Sequence, residues 1–137
     1  MVEIVCGEKG KGKTKIMLQK ANEAVQSAEG SVVYIDKNSK HMYELNNDIR
    51  LVDISEYPIT NFDGILGFVC GLLSGNHDIE TVYMDSFLTI SAIEKDTLVD
   101  AIGKLQKLND EVKFVISISL GENEMPNELR DNIVAAC

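Results

Sequence analysis

The thirteen residues Val2-Glu3-Ile4-Val5-Cys6-Gly7-Glu8-Lys9-Gly10-Lys11-Gly12-Lys13-Thr14 join an apolar run to a turn built of glycine and lysine. From Gly7 to Thr14 they match G-x-x-x-x-G-K-[ST] at every fixed position. Behind them Met17, Ala21, Ala24, Val25 and Ala28 recur at helical spacing, with Gly30 as the expected stop. Strand, glycine turn and helix in that order form one physical device. The glycines let backbone N–H groups point inward, and the helix start adds unpaired donors and the positive end of its dipole. A phosphate chain is the ligand that suits it. Gly7, Glu8, Lys9, Gly10, Lys11, Gly12, Lys13, Thr14 and Lys15 are therefore the expected nucleotide-binding residues. Lys13 is expected at the β- and γ-phosphates, and Thr14 offers its hydroxyl to Mg²⁺.

Outward from this stretch the chain alternates strand-like and helix-like segments. That alternation predicts an α/β three-layer sandwich on a mainly parallel five-stranded sheet, in a single domain over 1–137. The strand-like runs are Val2 to Cys6, Ser31 to Asp36, Arg50 to Ile54, Thr81 to Asp85 and Val112 to Ser119. A weaker helix is expected from Ser39 to Asn46. A stronger one carries Phe62, Ile65, Leu66, Val69, Leu72 and Leu73, with Gly64, Gly67 and Gly71 suggesting a face set close against the sheet. Ser91 and Glu94 have capping-box spacing ahead of Leu98, Ala101, Ile102, Leu105 and Leu108, and Pro126 is placed to open a last helix through Leu129 and Ile133.

Charge narrows the partners. Residues 1–40 hold seven lysines against five acids, a balance of +2, so of the total −9 the remaining 97 residues carry −11. A focused cationic loop on an acidic body suits a small anion and disfavours long nucleic acid and anionic membrane surfaces. No apolar run reaches the roughly 20 residues that span a bilayer, and the first residues lack a signal-peptide core, so a cytoplasmic location is expected. Cys6, Cys70 and Cys137 have neither disulfide-framework nor zinc spacing and read as reduced thiols. His41 and His77 read as surface residues, and Cys6 as a buried structural cysteine.

A second motif agrees with the first. Thr81-Val82-Tyr83-Met84-Asp85 is an apolar strand ending in a carboxylate, the Walker B pattern that holds Mg²⁺ beside a P-loop, so Thr14 and Asp85 are the expected metal residues. Together with Val32-Val33-Tyr34-Ile35-Asp36 and Tyr83-Met84-Asp85-Ser86, the sequence resembles the RecA-like branch of P-loop ATPases from Val2 to Ser119. It is similar as well to small bacterial P-loop proteins, some of them labelled twitching-motility ATPases. The RecA-like resemblance implies the strand order 1-5-4-2-3 and puts Ser117 to Ser119 at the sensor position facing the γ-phosphate. It implies ATP and Mg²⁺ as ligands; no N/T-K-x-D stretch for reading guanine is present.

The departures from that family bear on hydrolysis. Its catalytic Glu is expected two positions past Asp36, where Asn38 stands, and a neutral amide is no general base. Asp36 and Glu122 are the candidate substitutes, with Lys13 the third catalytic candidate. DNA-binding loops have no room here, and the stretch Gly121-Glu122-Asn123-Glu124 is acidic. The signature lysine of ParA-like proteins belongs where Glu8 stands, and the zinc lasso of thymidine kinases has no cysteine pairs to form it. Three readings follow: a weak or partner-stimulated ATPase, a non-hydrolysing ATP switch module, and a small-molecule kinase. Accessory function is expected from a partner protein or from self-assembly.

Overall fold

A computed structural model describes all 137 residues, Met1–Cys137. Six parallel strands form its sheet: β1 (Val2–Cys6), β2 (Ser31–Asp36), β3 (Ile49–Asp53), β4 (Ile79–Met84), β5 (Lys113–Ile118) and β6 (Ile133–Ala136), in the order β3-β2-β4-β5-β1-β6. Residues 2–118 thus supply the five strands in the expected 1-5-4-2-3 arrangement. The count and the complete order differ from expectation, because β6 adds a sixth strand outside β1. Ile133 belongs to that strand and not to a closing helix. Pro126 opens only a tight 3₁₀ stretch, Asn127–Asn132, after which Ile4 and Ile133 pair. The free N–H and C=O groups along the outer edge of β1 find partners in this short apolar run.

Strand alternation sorts the two faces. Val5, Val32, Tyr34, Tyr83 and Val115 face helix α1 (Lys13–Ser27) through Met17, Leu18 and Ala21. Ile4, Val33, Ile35, Val82, Met84 and Ile116 face the opposite layer. That layer holds α2 (Phe62–Gly75), α3 (Phe87–Ser91) and α4 (Leu98–Gln106). Helices therefore cover both faces of a sheet whose strand interiors are mainly apolar, as suits a parallel sheet.

Four local expectations are corrected. Ser39 to Asn46 holds only a 3₁₀ turn, Met42–Glu44. No capping box forms at Ser91, which is buried at the end of α3 with its hydroxyl unpartnered, while Glu94 precedes a separate 3₁₀ turn. The glycine face of α2 does not lie on the sheet. Nothing comes within 4 Å of a Cβ placed on Gly67 or Gly71; the one tight approach is at Gly64, from Ile59 at 3.1 Å. Nor is Gly30 a helix stop, since α1 ends at Ser27 with Ala28 extended as its cap.

Gly30 is instead a crossing point. A Cβ there would lie 2.0 Å from the Asp78 carbonyl oxygen, which accepts the Ser31 amide at 2.8 Å, and Glu80 accepts the amides of Glu29 and Gly30 at 3.1 and 2.9 Å. The obstructing atom is backbone and cannot swing away. Gly30→Ala is expected to destabilise the fold by about 1–3 kcal/mol through forced separation of β2 and β4 at their entry, measured as a lower urea midpoint. An unchanged midpoint would show that this crossing yields freely.

Candidate nucleotide site at the carboxyl ends of the strands

Parallel strands deliver every strand end to one edge, and the cleft forms there, outside the ends of β1, β2, β4 and β5. Gly10 and Gly12 carry φ of 84° and 94°, values that suit glycine, and a Cβ on either would meet nothing within 4 Å. At these two positions it is backbone conformation and not crowding that selects glycine. Gly7 differs: a Cβ there would lie 2.8 Å from that of Cys137. The turn is closed by Lys11 N–H donating to the Glu8 carbonyl at 3.2 Å.

The amides of Lys9, Gly10, Gly12, Lys13, Thr14 and Lys15 donate to no protein acceptor, because α1 begins at Lys13 and its first internal partner is Ile16 on the Gly12 carbonyl. Lys13 is buried at 8% exposure and its Nζ donates to the Glu8 carbonyl at 3.1 Å, so its ammonium folds over the same turn. Unpaired amides around a buried cation form a cradle for anionic oxygens, which fits a triphosphate. The cleft beside them has a volume of about 420 Å³ and no apolar lining residue. Lys9, Gly10, Gly12, Lys13 and Thr14 line it with Lys37, Asp85, Ser86, Thr89 and Ser119.

Asp85 is the carboxylate of this cleft. It is only 2% exposed, directly past the end of β4. Its Oδ2 accepts Tyr34 Oη at 2.9 Å; its Oδ1 accepts Ser117 Oγ at 2.5 Å and the Ser86 amide at 2.9 Å. Ser86 holds a left-handed backbone, φ 57°, and its amide is shared with Ser117 Oγ at 2.8 Å. A non-glycine residue there costs on the order of 1 kcal/mol, offset here by the bonds its amide makes. Thr14 and Asp85 both line the cleft, so the residues expected to hold Mg²⁺ are brought together and fit the ion's demand for oxygen ligands.

The remaining expected residues are placed differently. Asp36 is 3% exposed and lies behind the cleft wall, its Oδ1 accepting the Lys37 amide at 2.7 Å. Burial, and then the Asp85 charge, push its carboxyl up to about 6. Asn38 turns aside, its Oδ1 accepting the Lys40 amide at 2.9 Å. Glu122 is exposed outside the cleft lining, as are Glu8, Lys11 and Lys15. Ser119 lines the cleft, whereas Ser117 is buried behind it. Cys6 is buried, with its thiol raised chiefly by desolvation and next by Glu122, as suits a structural residue. His41 pairs with Glu44 at 2.5 Å on the surface.

Tyr34, Lys37, Ser86 and Thr89 were not singled out by sequence reasoning. Tyr34 had a usable signal, since a tyrosine in a fully buried strand needs a partner for its hydroxyl. Lys37 had only its place one residue past a strand end. A larger groove, about 680 Å³, runs between β3 and α2 past Leu51, Tyr57, Phe68 and Leu72. Its size does not make it the better fit for an anion, because no glycine turn at a helix start and no lysine line it.

No protein-family model matches the sequence, and no curated protein matches it. The fold is α/β, with a parallel six-stranded sheet and helices on both sides. Among solved structures, the crystal structure of the flagellar accessory protein FlaH from Methanocaldococcus jannaschii is similar at a TM-score of 0.59 and 14% identity over 93% of this chain. The chain spans 63% of that protein's chain, and at this identity the likeness is one of fold. No helix is long and apolar enough to cross a membrane.

The Asp36 environment has a measurable consequence without ligand. Its carboxyl titrates at about 6 folded against 3.8 ordinarily, so the folded state holds that proton more tightly. Burying the charge therefore costs stability as pH rises from about 4 to 6, up to about 3 kcal/mol, and the cost persists above that window. Asp36→Asn keeps an acceptor for the Lys37 amide. It is expected to exceed the parent in stability at pH 7 by about 1–3 kcal/mol, with the gain vanishing below about pH 4 in denaturant titrations. A difference independent of pH would contradict the burial argument.

Proposed function

We propose that this chain is a P-loop protein that binds ATP with Mg²⁺ and, alone, turns it over slowly, its hydrolysis being weak or stimulated by a partner protein. The observation that carries the reading is the cradle of six unpaired amides around the buried Lys13 cation. In it the amides of Lys9, Gly10, Gly12, Lys13, Thr14 and Lys15 bind phosphate oxygens, and Lys13 exchanges the Glu8 carbonyl for the β- and γ-phosphates. Thr14 and Asp85 are the residues that would hold Mg²⁺, which would supply positive charge against the phosphates. Lys37 and Lys9 add cationic walls, and Ser119 and Thr89 offer hydroxyls. The FlaH fold likeness is consistent with a RecA-like core and adds no ligand of its own.

One observation favours the switch reading within this proposal. Asp85 is the only carboxylate lining the cleft, and all three of its hydrogen-bond partners hold it in place; no second acid is positioned to take a proton from water. Asp36 lies behind the wall and Glu122 outside it, so neither stands as a general base in this arrangement. Location in the cytoplasm and association with a protein partner belong to the same proposal, the latter because a site lacking its base needs one supplied.

Lys13→Ala removes a charge-assisted phosphate contact worth about 1.5–3 kcal/mol, so ATP affinity should fall roughly 10–100-fold while circular dichroism stays unchanged. Equal affinity of folded variant and parent by calorimetry would exclude the P-loop as the site. With general-base help worth ~10²–10⁴-fold, turnover by the isolated chain should lie at least ~100-fold below a typical ~10 s⁻¹. Phosphate release at the typical rate would show that a base reaches the cleft after all.

A further inference from the structure

The Asp85 carboxylate is held from three directions, and two of the donors come from other strands. Tyr34 lies on β2 and Ser117 on β5, the neighbours of β4 on its two sides. Each grips a different oxygen, Tyr34 Oη on Oδ2 at 2.9 Å and Ser117 Oγ on Oδ1 at 2.5 Å. With both oxygens pinned, rotation of the carboxylate about its Cβ–Cγ bond breaks at least one bond. Both donors are fully buried, so water cannot replace them. The Tyr34 ring is itself immobilised by stacking on Tyr83, centroids 5.9 Å apart.

From this geometry we infer that Tyr34 and Ser117 are positioning residues for the metal, fixing the Asp85 carboxylate in the orientation in which it meets Mg²⁺ on bound ATP. The inference rests on the nucleotide-binding reading above. It also reassigns the sensor strand. Ser117 has a single hydroxyl proton and spends it on Asp85, so it has none to give a γ-phosphate. Ser119, two residues on and open to the cleft, is the serine left to meet the phosphate. Tyr34 thus acts at a distance from the nucleotide through the carboxylate it holds, as groups behind a metal ligand do.

Tyr83 supplies the control. It is the other ring of the stack, 3% exposed, but its hydroxyl donates to the Lys20 carbonyl at 3.2 Å and not to Asp85. Tyr34→Phe and Tyr83→Phe each delete one buried hydroxyl from the same stack, and only the first loosens the carboxylate. The readout is the gain in ATP affinity on replacing EDTA by Mg²⁺, measured by calorimetry on parent and variants whose folding is checked by circular dichroism.

Tyr34→Phe should lose roughly 10-fold of that gain with metal-free affinity changed by less than about 2-fold, and Tyr83→Phe should keep the parent's gain. Should Tyr34→Phe not fold, Ser117→Ala is read by the same criterion. Retention of the full gain by the Tyr34 variant, or an equal loss in the Tyr83 variant, would overturn the inference while leaving nucleotide binding intact. A parent that binds ATP without any gain from Mg²⁺ would also overturn it alone. A parent that binds no ATP would overturn the binding reading and this inference with it.

Discussion

A carboxylate buried just past the end of an inner strand must be surrounded by donors, and the arrangement of this sheet edge follows from that requirement. An unpaired buried charge costs several kcal/mol, so Asp85 is tolerable only where Tyr34, Ser117 and the Ser86 amide reach it together. They reach it only in one register. Tyr34 stands opposite Tyr83, and Tyr83 opposite Val115, so Asp85 and Ser117 each lie two residues further toward the same edge. A slip by one residue in β2 or β5 would send the corresponding hydroxyl to the other face of the sheet. The same register sets Asp36 beside Asp85, so that burial first and the neighbouring charge second make it hold its proton. Function and sheet alignment are therefore one constraint.

The phosphate cradle obeys the opposite logic. There the groups are left unsatisfied: six amides without acceptors and a lysine folded onto a carbonyl of its own loop. A polar edge open to solvent tolerates this because water serves until an anion arrives. The cationic turn stands against a remainder carrying −11, so attraction is confined to a patch the size of a small ligand. The groove between β3 and α2 has a mixed polar and apolar lining and no glycine turn at a helix start.

Much of this was legible in the sequence because it is written in local chemistry. The P-loop needs fixed residue types at fixed spacing, and buried parallel strands read as mainly apolar runs, so the five strands from Val2 to Ile118 were recovered to within a residue or two and α1 was found, though not its stop. What was missed depends on contacts distant in sequence. Strand β6 pairs with an edge of β1 that lies far away in sequence, while locally Pro126 with Leu129 and Ile133 suggested a helix. The glycines of α2 look alike in sequence, yet only Gly64 is approached closely and the others face outward. Asp36 looked like a spare acid at a strand end; its retreat behind the wall is set by its neighbour strands. Tyr34 read as core, and its hydroxyl became informative once β4 lay beside it.

The central claim is that the P-loop end of the cleft receives a nucleoside triphosphate through its phosphates. Amide chemical-shift mapping of the labelled protein, titrated with ATP and with AMP in the presence of Mg²⁺, tests it most directly. Large shifts at Gly10, Gly12, Lys13 and Thr14 with ATP, much reduced with AMP, are the predicted result. Shifts concentrated instead at Leu51, Phe68 and Leu72 on the groove between β3 and α2, or the same response to both nucleotides, would contradict it.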